Sequence, residues 1–71
     1  MESGALRQEI RKIALKNASE YGTASTGAVL GKVLSKFPEL KNEMQTLYGE
    51  VGKIVEEVNM LGKEKSENSK N

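Results

Sequence analysis

The basic residues in the first half of the chain are spaced for binding phosphate. Six of them occur between residues 5 and 37, against two acidic residues, so this half has a net charge of +4. They form three pairs with a spacing of four residues: Arg7 and Arg11, Lys12 and Lys16, Lys32 and Lys36. Residues four apart lie along one face of an α-helix, where paired cations repel each other in isolation. Such pairs favour salt-dependent binding to a polyanion, with little recognition of the sequence of that polyanion.

The second half of the chain has the opposite charge. Residues 38 to 62 contain two lysines and five glutamates, a net charge of −3. This asymmetry predicts that the first half meets a polyanion and the second does not. An ordinary solvated surface with an uneven distribution of few charges explains the same numbers, and the sequence leaves both interpretations open.

A second candidate phosphate site lies at the start of the predicted second helix. The hydroxyls of Ser25 and Thr26 and the backbone amides around Gly27 would converge there with the positive end of the helix dipole. Both hydroxyl residues are also common N-caps, so part of their role is capping in either case.

Catalytic chemistry is not supported by the residue types. Histidine and cysteine are absent, which removes the usual neutral-pH base, the strongest nucleophile and the usual zinc ligands. Glu56 and Glu57 are adjacent, so on a helix they point about 100° apart and cannot flank one substrate atom. No phosphate-binding glycine loop of the G-x-x-x-x-G-K-[ST] type occurs. We therefore predict no catalytic residue, metal or cofactor in this chain, which is not an enzyme by itself.

The sequence also gives no sign of a membrane partner. No apolar run approaches the roughly 18 residues that cross a bilayer. The first residues, Met-Glu-Ser-Gly, lack the basic and apolar regions of a signal peptide. We expect a cytoplasmic location.

Apolar periodicity predicts an all-α fold, a small bundle of three helices. The first is expected from Gly4 to Tyr21 with Gly22 as a left-handed cap, the second from Gly27 to Lys36, and the third from Pro38 to about residue 61. Gly49 and Gly52 each weaken the third helix by about 1 kcal/mol. A break near Gly49 would make four helices.

The apolar stripes also predict the core. All three aromatic residues lie on them, so Tyr21, Phe37 and Tyr48 are expected to be buried rather than free to stack on bases. Gly27 and Gly31 are expected to allow close helix packing. Residues 63 to 71 contain nothing apolar, which predicts a helical domain over residues 1–62 and a disordered linker or tail over residues 63–71.

Several short motifs resemble one family. They are Ala14–Ala18, Tyr21–Gly22, Gly27–Leu34, Pro38–Leu40 and Val55–Asn59. In this order and spacing they resemble the N-terminal appended domain of archaeal glutamyl-tRNA synthetases. The segment Gly27–Leu34 is also similar to helical domains at the N-terminus of glutaminyl-tRNA synthetases and in the tail of the amidotransferase B subunit.

The resemblance implies a non-catalytic domain of a glutamate–tRNA ligase, whose catalytic domain would follow the linker and use ATP. It further implies contacts with the tRNA backbone that help to position the tRNA. The expected RNA-binding residues are Lys32 and Lys36 first, then Lys12, Lys16 and Arg11, with Ser25, Thr26 and Gly27 at the helix start.

Two other functions remain open at this stage. In the first alternative, the chain is a protein-docking module. It binds the parent's catalytic domain or another synthetase through the third helix or through exposed apolar residues such as Met60. In the second it is a spacer with no ligand. The choice between glutamate and glutamine tRNAs lies outside these residues, and the oligomeric state stays open.

Overall fold

The computed structural model describes residues 4–70, with side chains described for residues 4–62. It contains α1 (Gly4–Tyr21), α2 (Thr26–Lys36), a six-residue 3₁₀ helix (Pro38–Glu43) and α3 (Met44–Lys70). No strand occurs in this part of the chain. The predicted all-α bundle of three helices is confirmed.

Two of the three α-helices run in the same direction. Arg7 and Arg11 of α1 pair with Glu50 and Glu57 of α3, so the residue numbers of both helices rise together. Glu9 of α1 pairs instead with Lys36, at the end of α2. Helix α2 therefore runs antiparallel to α1 and α3, and the 3₁₀ helix makes the turn back from α2 to α3.

The core lies where the three helices meet. Five of its side chains are almost completely buried: Ile10, Leu47, Val29, Val33 and Val51. Seven further apolar residues are buried around them: Ala14, Ala24, Leu30, Leu40, Ile54, Val55 and Val58. Phe37 is half-buried and packs against this cluster, as do Leu6, Ile13, Ala18 and Leu34. The apolar stripes of all three helices thus face one shared interior.

The ends of α1 and α2 follow the predicted local chemistry. Gly22 has a φ of 87° and donates its amide to the carbonyl oxygen of Ala18 at 2.8 Å. This left-handed conformation is strained for other residues, which confirms Gly22 as the cap of α1. Ser25 is the N-cap of α2, and its hydroxyl accepts from the amide of Ala28 at 3.5 Å.

Two asparagines fix the connector between α1 and α2. The side-chain oxygen of Asn17 in α1 accepts from the amide of Ser25 at 2.9 Å. Asn59 in α3 makes two hydrogen bonds to the buried Ala24: its oxygen accepts from the Ala24 amide at 2.7 Å, and its nitrogen donates to the Ala24 carbonyl at 3.0 Å. The start of α2 is therefore held by both neighbouring helices.

The third α-helix differs from the prediction at its start but is continuous through Gly49, as expected. The segment that begins at Pro38 is a 3₁₀ helix, and the α-helix begins only at Met44. Residue 49 lies inside a continuous α-helix, so the alternative of four helices with a break near Gly49 does not occur. An added Cβ at Gly49 or Gly52 would meet nothing within 4 Å, so no other backbone approaches them closely.

Some predicted core residues are exposed instead. Tyr21 is 74% exposed and Tyr48 is 59% exposed, so the prediction that they are buried is wrong. Tyr48 follows the buried Leu47 and is turned from it by about 100° around α3, which leads it out of the interior. Met44 and Leu61 are also exposed. Gly27 and Gly31 are exposed with free space around them, so they do not mediate close helix packing.

The predicted boundary between domain and linker falls within the last helix. The backbone of α3 is helical to Lys70. The side chains of residues 63–71 and the backbone of residue 71 lie outside the described residues. The division into residues 1–62 and 63–71 stays a prediction.

Candidate nucleic-acid interface

An open groove with four lysines runs between α1 and α2. Its volume is about 750 Å³. Helix α1 contributes Glu9, Lys12, Ile13 and Lys16, and helix α2 contributes Ala28, Gly31, Lys32, Ser35 and Lys36. The fold thus brings together four of the predicted RNA-binding residues, from two segments of the chain.

Small side chains on α2 keep this groove open. Ala28, Gly31 and Ser35 follow one another at helical spacing along its wall. A Cβ at Gly31 would meet nothing within 4 Å. Because larger side chains are missing at these three positions, the lysines stand on the borders of an open gap.

The four lysines differ in their ion pairs. The Nζ atom of Lys36 lies 3.0 Å from Oε1 of Glu9, and the Nζ atom of Lys12 lies 4.0 Å from Oε2 of the same carboxylate. Lys16 and Lys32 have no ion pair among the side chains of residues 4–62. One part of the groove is therefore partly neutralised, and the other presents two unpaired cations.

The pKa of Glu9 reports on this arrangement. The hydrogen bond from Lys36 holds the pKa of Glu9 below its usual value, and the positive charge of Lys36 adds to this effect. Desolvation acts in the opposite direction, and the more distant Lys12 contributes a further lowering. The ion pair with Lys36 therefore favours the ionised form of this carboxylate.

Replacement of Lys36 by Gln should raise the pKa of Glu9, because both leading causes of its lowering are removed. Nuclear magnetic resonance (NMR) titration of the Glu9 side chain measures this directly. Lys32→Gln is the matched control, since Lys32 has no ion pair with Glu9, and it should leave the pKa nearly unchanged. A Glu9 pKa that is equal in wild type and Lys36→Gln would contradict the ion pair.

The same pair has a defined effect on stability. The folded-state pKa of Glu9 is lower than its unfolded value, so the pair stabilises the fold above the usual pKa of a glutamate. This contribution is lost as the pH falls through the lower folded-state pKa. Lys36→Gln should therefore reduce the difference in stability between neutral and acidic solution.

The two arginines of α1 face away from this groove. Arg11 Nη2 lies 2.9 Å from Oε1 of Glu57, and Arg7 Nε lies 3.2 Å from Oε2 of Glu50. These pairs are largely exposed and contribute at most about 1 kcal/mol each. These pairs matter more for the surface charge than for stability, because acidic residues of the second half of the chain neutralise the arginines of the first half. Arg11 is thus not brought together with the four lysines.

The start of α2 also lies outside the groove lining. Ser25 donates its amide to Asn17, and its hydroxyl caps the helix. The amides of Thr26 and Gly27 have no hydrogen-bond acceptor among the described residues. Ordinary capping therefore accounts for Ser25, while two amides at the positive end of α2 stay unpaired.

Sequence reasoning missed Glu9 as a groove residue and both connector asparagines. Glu9 pairs with Lys36, which is 27 residues away in sequence. No local sequence pattern predicts such a contact. The sequence did contain a signal for Asn17, because this residue lies on the apolar stripe of α1, seven residues after Ile10. In the structure Asn17 is 3% exposed. A polar residue on a buried stripe needs a hydrogen-bond partner.

The described residues contain neither a membrane-spanning helix nor a metal-binding cluster. None of their helices has the length and apolar character required to cross a membrane. Among the same residues, no cluster of three or more His, Cys, Asp or Glu side chains could hold a metal ion.

Similarity to known proteins is concentrated in one kind of enzyme. The chain is 38% identical over 63 residues to the glutamate–tRNA ligase of Nitrosopumilus maritimus, which covers 87% of this chain and 11% of the ligase. It is 46% identical over 61 residues to the ligase of Pyrococcus furiosus, or 79% of this chain and 11% of the ligase. It is 44% identical over 57 residues to the ligase of Methanocaldococcus jannaschii, which covers 79% of this chain and 10% of the ligase.

These ligases are about nine times longer than the matching segment, so the chain spans about a tenth of the relatives it matches. No protein-family model matches the chain, and no solved structure matches it. The chain is therefore a homologue of a short segment of archaeal glutamate–tRNA ligases.

Proposed function

We propose that this chain is a non-catalytic part of a glutamate–tRNA ligase and helps to position tRNA. Four lysines of the groove between α1 and α2 bind backbone phosphates in this proposal. ATP and glutamate are bound by the rest of the ligase, in the cytoplasm. The observation that carries the proposal is the convergence of Lys12, Lys16, Lys32 and Lys36 on one open groove.

The electrostatics of the groove support this function. Among the described residues, its lining contains four lysines and a single carboxylate, that of Glu9. Phosphate contacts of this kind supply affinity and register rather than sequence readout. That role suits a segment that assists a separate catalytic domain.

The similarity to ligases supports tRNA as the polyanion. The relatives are named glutamate–tRNA ligases, so tRNA is the polyanion that a basic groove in a segment of such an enzyme would meet. The absence of an exposed aromatic residue from the described groove lining favours phosphate contacts over base stacking. The same proposal places this chain at the N-terminus of the ligase, as the motifs suggest. It also includes a linker after residue 62.

Charge reversal at the two unpaired lysines tests the proposal. Lys16→Glu with Lys32→Glu should weaken binding of glutamate tRNA by at least about tenfold. It should also reduce the slope of log affinity against log salt by about two, because each lost phosphate contact removes about one. Binding is measured by NMR titration of the labelled 71-residue chain at low and moderate salt, following every backbone amide.

A double change with the same total charge provides the control. Lys41→Glu with Lys53→Glu reverses two lysines that do not line the groove. This variant should retain most of the affinity if the groove is the binding site. Equal losses in both double variants would show that only net charge matters, and the groove assignment would be wrong.

Protein docking remains a second candidate because of one group of exposed apolar residues. Met60 and Leu61 are 58% and 50% exposed and lie beside the Arg11–Glu57 pair. Leu15, one helical turn after Arg11, is 47% exposed. If glutamate tRNA causes no salt-dependent shifts at any amide, the catalytic domain of the parent ligase is the next titrant, and shifts at these three residues would support docking.

A further inference from the structure

We infer that Glu9 is an internal competitor for the phosphates of the RNA and sets the affinity of the lysine groove. This inference rests on the proposed function. It assigns Glu9 a role opposite to that of the four lysines: its carboxylate occupies a position in the groove that a phosphate would otherwise take.

The geometry of Glu9 is that of a bound anion. Its two carboxylate oxygens face lysines from different helices, Lys36 of α2 at 3.0 Å and Lys12 of α1 at 4.0 Å. A phosphate oxygen offers the same negative charge and the same acceptor chemistry to these ammonium groups. A phosphate that binds Lys12 or Lys36 therefore competes with Glu9 for the positive charge of these lysines.

Glu9 is well placed to compete because it is part of the same helix as Lys12. A tethered anion has a high effective concentration at its partners compared with a free one. The side chain of Glu9 is 30% exposed, whereas those of Lys36 and Lys12 are 57% and 76% exposed. The carboxylate thus lies against the groove, while the ammonium groups remain accessible to solvent and to an incoming ligand.

The competition is weak enough to be overcome. An exposed ion pair contributes little to stability, since both partners are well solvated when it opens. A polyanion that is already anchored on Lys16 and Lys32 can therefore displace Glu9 from Lys36. RNA binding then has two stages, with the unpaired lysines first and the neutralised pair second.

Glu9→Gln tests the inference. The change keeps the size of the side chain and removes its charge, so Lys12 and Lys36 become free cations. Affinity for glutamate tRNA at low salt should rise about fivefold, because the RNA no longer has to displace a carboxylate from Lys36. The slope of log affinity against log salt should stay close to the wild-type value, because the same four lysines contact phosphates in both proteins. Fluorescence titration of the full 71-residue chain over a salt series measures both quantities.

Glu20→Gln is the matched control. Glu20 lies on the same helix, is exposed, and does not line the groove. The change in net charge is identical, so any excess effect of Glu9→Gln comes from its position. A thermal unfolding scan of both variants verifies that the fold is intact.

A double-mutant cycle isolates the competition itself. Lys12→Gln with Lys36→Gln should reduce affinity only slightly in the wild-type background, where Glu9 already occupies these lysines. In the Glu9→Gln background the same change should abolish the gain. If Glu9→Gln and Glu20→Gln have the same affinity while Lys16→Glu with Lys32→Glu still loses binding, Glu9 is not a competitor and the proposed function stands. If no variant binds RNA, the proposed function and the inference are both wrong.

Discussion

Leu47→Ala should destabilise the fold by about 2–5 kcal/mol. Leu47 is completely buried in the core near the start of α3. Its truncation removes apolar contacts and leaves a cavity, and changes of this kind have costs in that range. A domain of this size has a total stability of roughly 4–10 kcal/mol. Leu47→Ala should therefore lose a large part of its free energy of unfolding, which urea titration followed by circular dichroism measures.

The neighbouring Tyr48→Ala is the control for this prediction. Tyr48 is 59% exposed, so its truncation leaves no cavity even though the side chain is larger. The expected change in the free energy of unfolding is below about 1 kcal/mol. If Tyr48→Ala were the more damaging of the two, the side of α3 that faces the core would be misassigned.

Asn59→Ala should cost about 2–4 kcal/mol, because it removes both hydrogen bonds to the buried Ala24. The amide and the carbonyl of Ala24 would each lose their partner, at 2.7 and 3.0 Å respectively. A buried polar group left without a partner costs about 1–3 kcal/mol. Urea titration gives the loss of stability, and hydrogen exchange at the Ala24 amide reports the local loss of protection.

Asn42→Ala serves as the comparison for Asn59→Ala. Asn42 is an exposed residue of the 3₁₀ helix, so its truncation should change the stability by less than about 1 kcal/mol. Equal and small losses at both positions would mean that water replaces the Asn59 contacts at no cost. The connector would then not depend on α3.

Local chemistry allowed much of the fold to be predicted. The bounds of α1, its glycine cap and the second helix follow from periodicity and capping, which depend on neighbouring residues. The start of α3 does not follow from them, because a proline at a first turn is compatible with both a 3₁₀ and an α-helix. The exposure of Tyr21 and Tyr48 depends on how much of the surface of each α-helix its neighbours cover in the bundle. Periodicity alone does not specify that coverage.

The candidate groove was predictable only in part. Spacing placed Lys12 with Lys16, and Lys32 with Lys36, each on one helix. The meeting of the two pairs depends on the antiparallel packing of α1 and α2. The separation of the arginines from these lysines depends on Glu50 and Glu57, which are more than 40 residues away in sequence.

The two asparagine contacts have a consequence for the order of folding. Asn17 and Ser25 are 8 residues apart, whereas Asn59 and Ala24 are 35 apart. Contacts over short loops form early, and those over long loops require closure of the chain. During synthesis the first contact becomes available once α1 and α2 have emerged, and the second must wait for α3. The groove between α1 and α2 therefore acquires its final geometry last, even though every residue that lines it precedes α3 in the chain.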